Sequence, residues 1–148
     1  MTEEPHVWRT LGFRRRSLES GKSIVEWDAP QDYSFPTADG RVIQGGLVTA
    51  VLDSAMGGAC WSLLDPEETF LTADLRVEFL RPTRPGLLAA HGSVVRRTRR
   101  VVFCAAELLD TQGVVLAASR CTQVVLPANG PAGRYRTSEE RQQMFGDG

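Results

Sequence analysis

The longest helical pattern in the chain extends from Gly45 to Leu64. Its apolar residues recur at the i, i+3 and i+4 spacing of a buried helix face; they are Leu47, Val48, Val51, Leu52, Ala55, Met56, Ala59 and Leu63. Asp65-Pro66 ends the pattern, because a residue that precedes proline avoids the helical conformation. The apolar residues cover most of the helix circumference, which predicts that other structure surrounds this helix.

Four β-type runs rich in Val, Leu, Phe and Ala follow the helix: Ala73–Leu80, Leu87–Arg97, Arg100–Asp110 and Val114–Leu126. Short turn sequences separate them, which predicts an antiparallel meander. Before the helix, Lys22–Asp28 partly alternates and is predicted to be a strand, whereas Pro30–Gly40 is predicted to be a loop because it is rich in turn-forming residues.

One long buried helix with an antiparallel sheet indicates an α+β fold. Because the helix is apolar around most of its circumference, we expect the sheet to curl around it. The length of 148 residues fits a single domain that spans 1–148, with its core at about 7–126. The tail 127–148 is rich in Gly, Pro and charge, and is predicted to be frayed or a short surface helix.

Composition narrows the classes of partner. The formal net charge of -1 provides no basic field to hold nucleic acid. No apolar run is long enough to span a bilayer, and the polar, acidic N-terminus does not resemble a secretory signal. The three cysteines, Cys60, Cys104 and Cys121, include no C-x-x-C pair and are predicted to be reduced core thiols of a cytoplasmic protein. No metal-ligand spacing occurs, so we expect no metal.

The start of the helix is the first candidate for chemistry. Gln44-Gly45-Gly46 leads directly into it. The N-terminus of a helix has unpaired N–H groups and a partial positive charge, and glycine lets a ligand approach the backbone closely. These groups suit an oxyanion that develops on a carbonyl under attack. The alternative is that the two glycines only form a tight turn.

Asp53 is the second candidate, because it is a charged residue within the apolar helical stretch. Every fourth residue around it is small or polar, which forms one stripe on the helix: Gly45, Thr49, Asp53 and Gly57. A carboxylate in this stripe, about two turns from the helix start, is a candidate nucleophile or general base. The alternative is a solvated Asp on an exposed helix edge.

These residues resemble the signature of hotdog-fold thioesterases. The segments Val42–Leu47 and Asp53–Gly57 resemble the pattern His-Gly-Gly, six residues, then Asp or Glu, with Asp53 in the acidic position. Downstream, Thr72–Pro82 and Asp110–Ala117 resemble strands of the same family. The likeness extends from about residue 7 to residue 126, and the branch resembled is that of the phenylacetate-pathway and 4-hydroxybenzoyl-CoA thioesterases.

The resemblance implies a hotdog fold and hydrolysis of an acyl-CoA thioester, with coenzyme A as part of the substrate and no other cofactor. It implies that the Gly45 N–H polarises the carbonyl, that Asp53 is the nucleophile or general base, and that Thr72 orients water or the carboxylate. Gln44 stands in the position of the family's His, and its amide can still donate a hydrogen bond. Gly46 is assigned to substrate binding.

The resemblance also implies an assembly, since the glycine and the acidic residue come from opposite protomers in this family. We therefore expect a site at a dimer interface, in a homodimer or a homotetramer. Four arginines around a turn occupy the place where relatives often hold the phosphates of coenzyme A: Arg96, Arg97, Arg99 and Arg100. Guanidinium groups suit phosphates, and the alternative is a solvated hairpin tip.

Two other functions remain open at the level of sequence. The replacement of the motif's His by Gln44 is compatible with a non-catalytic module that binds or senses acyl-CoA. A hydratase or dehydratase would need a His–Asp pair near the helix start, and no His lies there. The segment Phe35–Gly40 also lacks the Asn that several relatives have a turn before the motif.

Overall fold

The computed structural model describes residues 4–129 of the chain. Within that range the helices are α1 (His6–Leu11) and α2 (Gly45–Trp61), and a 3₁₀ turn covers Gln31–Tyr33. The strands are β1 (Phe13–Glu19), β2 (Lys22–Ala29), β3 (Ser34–Thr37), β4 (Gly40–Ile43), β5 (Glu68–Phe79), β6 (Gly86–Arg97), β7 (Val101–Leu109) and β8 (Val115–Pro127).

Six strands form one antiparallel sheet in the order β1-β2-β6-β7-β8-β5, so that β1 and β5 are its edges. Helix α2 contacts all six of these strands. The predicted α+β fold, with an antiparallel sheet curled around one central helix, is therefore confirmed. Strands β6, β7 and β8 each begin and end within one residue of the predicted bounds.

The core lies between α2 and the concave face of the sheet. On the helix, Leu52 and Met56 are fully buried, and Trp27 is fully buried on β2. Helix and sheet approach most closely at Gly92, where an added Cβ would lie only 2.4 Å from the carbonyl oxygen of Ala55. Only glycine permits this contact between the two backbones.

The three cysteines lie in this core. Cys60, Cys104 and Cys121 are all buried, which agrees with the prediction that they are core residues. Cys104 and Cys121 are directly opposite each other on β7 and β8. No helix within residues 4–129 is long and apolar enough to cross a membrane.

The prediction of a loop at Pro30–Gly40 is wrong for most of that segment. It contains the 3₁₀ turn and β3, which pairs with β4 as a separate two-stranded sheet. The strands escaped prediction because they have only four residues each and are joined by the turn-forming sequence Thr37-Ala38-Asp39-Gly40. Gly40 has a φ of 124°, which side chains disfavour.

Other element bounds also differ from the prediction. Helix α2 ends at Trp61 and not at Leu64, and β5 begins at Glu68 and not at Ala73. The sequence pattern does not predict helix α1 or strand β1, since α1 has only six residues and β1 is interrupted by three consecutive arginines. The predicted tail lies largely outside the described residues, and the single-domain assignment for the whole chain stays a prediction.

Candidate active site

The predicted stripe on α2 faces strand β5, and all its members are half-buried: Gly45, Thr49, Asp53 and Gly57. Aromatic rings of β5 cover both ends of the stripe. An added Cβ on Gly45 would lie 3.1 Å from the ring of Phe79, and one on Gly57 would lie 3.4 Å from the ring of Phe70. The small residues therefore let β5 lie close against the helix.

Asp53 lies between these two rings and next to Thr72, which is also on β5. The Thr72 Oγ1 lies 3.2 Å from Asp53 Oδ1 and can donate its hydrogen to the carboxylate. Burial raises the pKa of the Asp53 carboxyl above its ordinary value, and the hydrogen bond from Thr72 offsets this shift only in part. The structure thus brings together two of the residues predicted for catalysis.

The start of α2 is held by backbone hydrogen bonds and by Thr49, whose Oγ1 donates to the Gly45 carbonyl at 2.8 Å. The N–H of Gln44 donates to the Tyr33 carbonyl at 3.1 Å, while the Gln44 side chain is exposed and makes no capping hydrogen bond. Gly45 and Gly46 are the first two residues of the helix, so their N–H groups have no acceptor within it. This end can therefore donate hydrogen bonds to a ligand.

A cavity of about 480 Å³ lies beside Gly45. Its walls are mainly apolar and come from the β3–β4 hairpin, from α2 and from the end of β5, with Phe35, Val42, Val48, Phe79 and Leu80 among the lining residues. The helix start therefore adjoins a space that suits an apolar group.

Gly45 and Asp53 do not meet within one chain. They are eight residues apart on a continuous helix, which corresponds to about 12 Å at 1.5 Å per residue. An amide that stabilises an oxyanion must lie about 3 Å from it, and an attacking group must lie about as close to the same carbonyl. One chain therefore presents the two halves of such a site at separate places.

The four predicted arginines lie around the β6–β7 turn, but they are not equivalent. Arg97 is half-buried, its Nη2 lies 2.6 Å from Glu68 Oε1, and its Nη1 donates to the carbonyl of Leu63. Arg97 thus joins the residues after α2 to the start of β5. Among residues 4–129, Arg96, Arg99 and Arg100 are exposed and form no ion pair.

The sheet register relates this arginine turn to the carboxylate. Thr72 is opposite Gln123, Gln123 is opposite Val102, and Val102 is opposite Arg97. These residues form one row across four strands, and three strand spacings amount to about 14 Å. The arginines and the Asp53–Thr72 pair therefore lie at the same level of the sheet, but not in contact.

One buried residue of this site was not predicted from the sequence. Gln123 on β8 is 0% exposed, and its side-chain amide lies 2.9 Å from Thr72 Oγ1 and 3.3 Å from Cys121 Sγ. The available signal was the alternation of β8, which places Gln123 on the same face as Cys121 and Val125. A polar residue at such an inward position requires a hydrogen-bond partner.

A sheet curled around one helix, with a glycine helix start and a carboxylate on the same stripe, defines the hotdog class of thioesterases. The chain belongs to the thioesterase superfamily, whose family model matches residues 40–117. Medium/long-chain acyl-CoA thioesterase YigI of Escherichia coli (strain K12) is 30% identical over 97 residues, which are 57% of this chain and 63% of YigI.

Two solved structures support the same assignment. A thioesterase family protein from Silicibacter pomeroyi is 28% identical with a TM-score of 0.75, over 83% of this chain and 90% of that protein. A phenylacetic acid degradation-related protein from Ralstonia eutropha JMP134 is 27% identical with a TM-score of 0.76, over 83% and 92%. The predicted family and the predicted thioester hydrolase class are thereby confirmed, which favours an enzyme over the binding-module and hydratase alternatives.

Proposed function

We propose that this thioesterase hydrolyses an acyl-CoA thioester to the free acid and coenzyme A, without a metal or other cofactor, at a site shared by two protomers. The observation that carries the proposal is the half-buried Asp53 carboxyl beside Thr72, on the helix stripe that begins at Gly45. The name of the relative YigI, a medium/long-chain acyl-CoA thioesterase, supports acyl-CoA as the substrate class.

In this proposal the helix start polarises the thioester. The Gly45 N–H donates to the carbonyl oxygen, where negative charge develops in the transition state, and the partial positive charge of the helix N-terminus acts in the same direction. Gly46 has no side chain to obstruct the carbonyl, and the exposed amide of Gln44 can donate a second hydrogen bond.

Asp53 supplies the attack on the carbonyl carbon, either directly or through a water molecule whose proton it accepts. When the tetrahedral intermediate collapses, the carbon–sulfur bond breaks and coenzyme A leaves as its thiolate, which then takes up a proton. On the direct route, water hydrolyses the resulting anhydride. Thr72 keeps the carboxylate oriented through its hydrogen bond on either route.

The roughly 12 Å between Gly45 and Asp53 along α2 favours a site formed by two chains. Strand β5 is a sheet edge, and it exposes apolar side chains at Leu71 (54%) and Phe79 (55%). Such an edge is suited to pairing with a second copy. A twofold axis near Thr49 would run the two helices in opposite directions and place Gly45 beside the partner's Asp53. We propose a homodimer or a pair of such dimers.

The cavity beside Gly45 is the proposed site of the acyl group. It adjoins the amide that would bind the carbonyl, and its apolar lining includes the rings of Phe35 and Phe79. An apolar lining suits an aliphatic chain or an aromatic ring.

Thiol release from a panel of short-chain, long-chain and aromatic acyl-CoAs tests the proposed function. We expect the wild type to hydrolyse at least one of these classes and Asp53→Ala to hydrolyse none measurably. If no ester is turned over while a CoA ester binds the protein, the chain is a binding module and the proposal is wrong.

The exposed arginines permit a separate test of coenzyme A binding. Replacing Arg99 and Arg100 together by Ala is expected to raise KM for acyl-CoA about tenfold, because each loses a charge-assisted hydrogen bond to phosphate, while kcat changes little. The effect should diminish at high salt. An N-acetylcysteamine thioester, which lacks the phosphates, should show no change in KM.

Arg9→Ala is the matched control for that test, since Arg9 is an exposed arginine on α1. Its KM for acyl-CoA should equal that of the wild type. An unchanged KM in the double variant at low salt would assign the β6–β7 turn to a solvated hairpin tip.

A further inference from the structure

Gln123 is a fully buried polar side chain next to the candidate catalytic pair. Its amide bridges Thr72 Oγ1, at 2.9 Å, and Cys121 Sγ, at 3.3 Å. The other residues of β8 that face α2 are largely apolar or small, and a buried amide in such surroundings is costly unless its hydrogen bonds are satisfied. Burial of the Gln123 amide therefore costs stability. The mechanism proposed above gives this side chain no role.

The distances around Thr72 do not by themselves show which group donates in each hydrogen bond. Its Oγ1 contacts both Asp53 Oδ1 and the Gln123 amide, but a hydroxyl has a single hydrogen to donate. If Gln123 presents its oxygen, Thr72 donates to Gln123 and cannot donate to Asp53. If the amide is turned by 180°, Nε2 donates to Thr72, and the hydroxyl hydrogen is left for the carboxylate.

We propose that Gln123 is a positioning residue that donates from Nε2 to Thr72 Oγ1 and thereby directs the Thr72 hydrogen to the ionised Asp53. This inference rests on the proposed function, because it assigns Gln123 to the same catalytic carboxylate. In this arrangement Oε1 faces Cys121 Sγ and can accept from its thiol. The result is one chain of hydrogen bonds from Cys121 through Gln123 and Thr72 to Asp53.

The reverse direction of the chain corresponds to the other protonation state. When Asp53 is protonated it can donate to Thr72, and Thr72 can then donate to Gln123 Oε1, so both orientations of the amide are satisfied. An apolar side chain at this position would remove the Nε2 donor that holds the Thr72 oxygen, so the hydroxyl could rotate away from the carboxylate. Gln123 is therefore suited to a carboxylate that alternately loses and gains a proton.

Among the described residues, the chain of hydrogen bonds through Thr72 is the main polar contact of Asp53. Helix α2 has no other charged residue, and the pKa of Asp53 is shifted by burial and by Thr72 alone. On β5 and β8, the charged residues within four positions of Thr72 or of its partner Gln123 are Glu68, Asp74, Arg76 and Arg120; Glu68 is half-buried and paired with Arg97, and the others are exposed. A change in the direction of the Thr72 hydrogen should therefore be visible in the pKa of Asp53.

Gln123→Met tests this inference, because Met fills a similar volume without a donor. We expect kcat for acyl-CoA hydrolysis to fall about tenfold, less than the roughly 10²-fold loss that a 1 Å misplacement can cause, with KM unchanged. The acidic limb of the kcat/KM profile should move to higher pH, because the hydrogen bond from Thr72 to the carboxylate is weakened when Gln123 no longer holds the hydroxyl. Ser119→Ala is the control, since Ser119 is another buried polar residue of β8 that contacts Met56 and Ala106 and not Thr72.

A double-mutant cycle with Thr72→Val separates positioning from a general structural effect. If Gln123 acts through Thr72, Gln123→Met should lower kcat little further in the Thr72→Val background. Fully additive losses, or an unmoved acidic limb in Gln123→Met, would refute the inference.

A second readout does not depend on turnover. The carboxyl pKa of Asp53, measured by carbon NMR titration, should rise in both Gln123→Met and Thr72→Val and stay unchanged in Ser119→Ala. If the wild type hydrolyses no acyl-CoA, the proposed function is wrong, yet this titration still decides whether Gln123 orients Thr72. An Asp53 pKa that is the same in Gln123→Met and wild type would overturn the inference.

Discussion

Asp53→Asn is expected to lower kcat/KM for thioester hydrolysis by roughly 10³-fold, within the range found when a general acid or base is removed. Asn has nearly the shape of Asp and can keep the contact with Thr72 that lies at 3.2 Å in the wild type. Its amide, however, neither attacks a carbonyl nor accepts a proton from water. Steady-state thiol release with the preferred acyl-CoA measures the loss.

The matched control is Asp28→Asn, since Asp28 is exposed on β2, away from the stripe on α2, and this variant should retain wild-type kcat/KM. In the wild type, activity should fall as the pH is lowered through the pKa of Asp53, which burial raises above the ordinary value for Asp. An Asp53→Asn enzyme that keeps more than about a tenth of the activity would contradict catalysis by this carboxylate.

Asp53→Asn is also expected to affect the stability of the folded protein. Because burial raises the pKa of Asp53 in the folded state, the folded protein binds its proton more tightly than the unfolded chain does. The contribution of Asp53 to stability is therefore present at low pH and is lost as the pH rises through the folded-state pKa. At neutral pH, urea denaturation should show Asp53→Asn to be at least as stable as the wild type, which is typical of a residue kept for function.

The helix and the strands after it could be predicted because their periodicity extends over many residues. In α2, the apolar residues at helical spacing leave out one stripe of small or polar residues, and Asp53 belongs to that stripe. The β3–β4 hairpin has four-residue strands of mixed composition, so its pairing follows from contacts that sequence periodicity does not encode. That hairpin matters because Phe35 lines the cavity beside Gly45.

The site could be predicted only in part, for a related reason. Gly45 and Asp53 lie close together in sequence and match a family signature, so their candidacy required no three-dimensional contact. Gln123 lies 51 residues from Thr72 and meets it only through the register of β5 and β8. The Arg97 side chain likewise contacts Glu68 and the Leu63 carbonyl of its own chain, which the run of arginines in the sequence did not indicate.

A mixture of Asp53→Asn and Gly45→Val protomers is expected to recover activity that neither variant has alone. In Gly45→Val the added side chain begins 3.1 Å from the ring of Phe79, so it must displace the ring and obstruct the space in front of the helix start. If each site takes its glycine from one protomer and its carboxylate from the other, a mixed dimer has one intact site and one doubly altered site. Random pairing of equal amounts should then give about a quarter of wild-type activity.

Co-expression of the two variants with different affinity tags, followed by purification on both tags, isolates the mixed dimers for thiol-release assays. The matched control is a mixture of Asp53→Asn with Asp53→Ala, which has no intact carboxylate in any pairing and should stay inactive. Mixed dimers of Asp53→Asn and Gly45→Val that also stay inactive would contradict the shared site. Because about 12 Å of helix separates the two groups within one chain, such a result would leave the amide and the carboxylate unable to act on one carbonyl, and a different oxyanion donor would have to lie near Asp53.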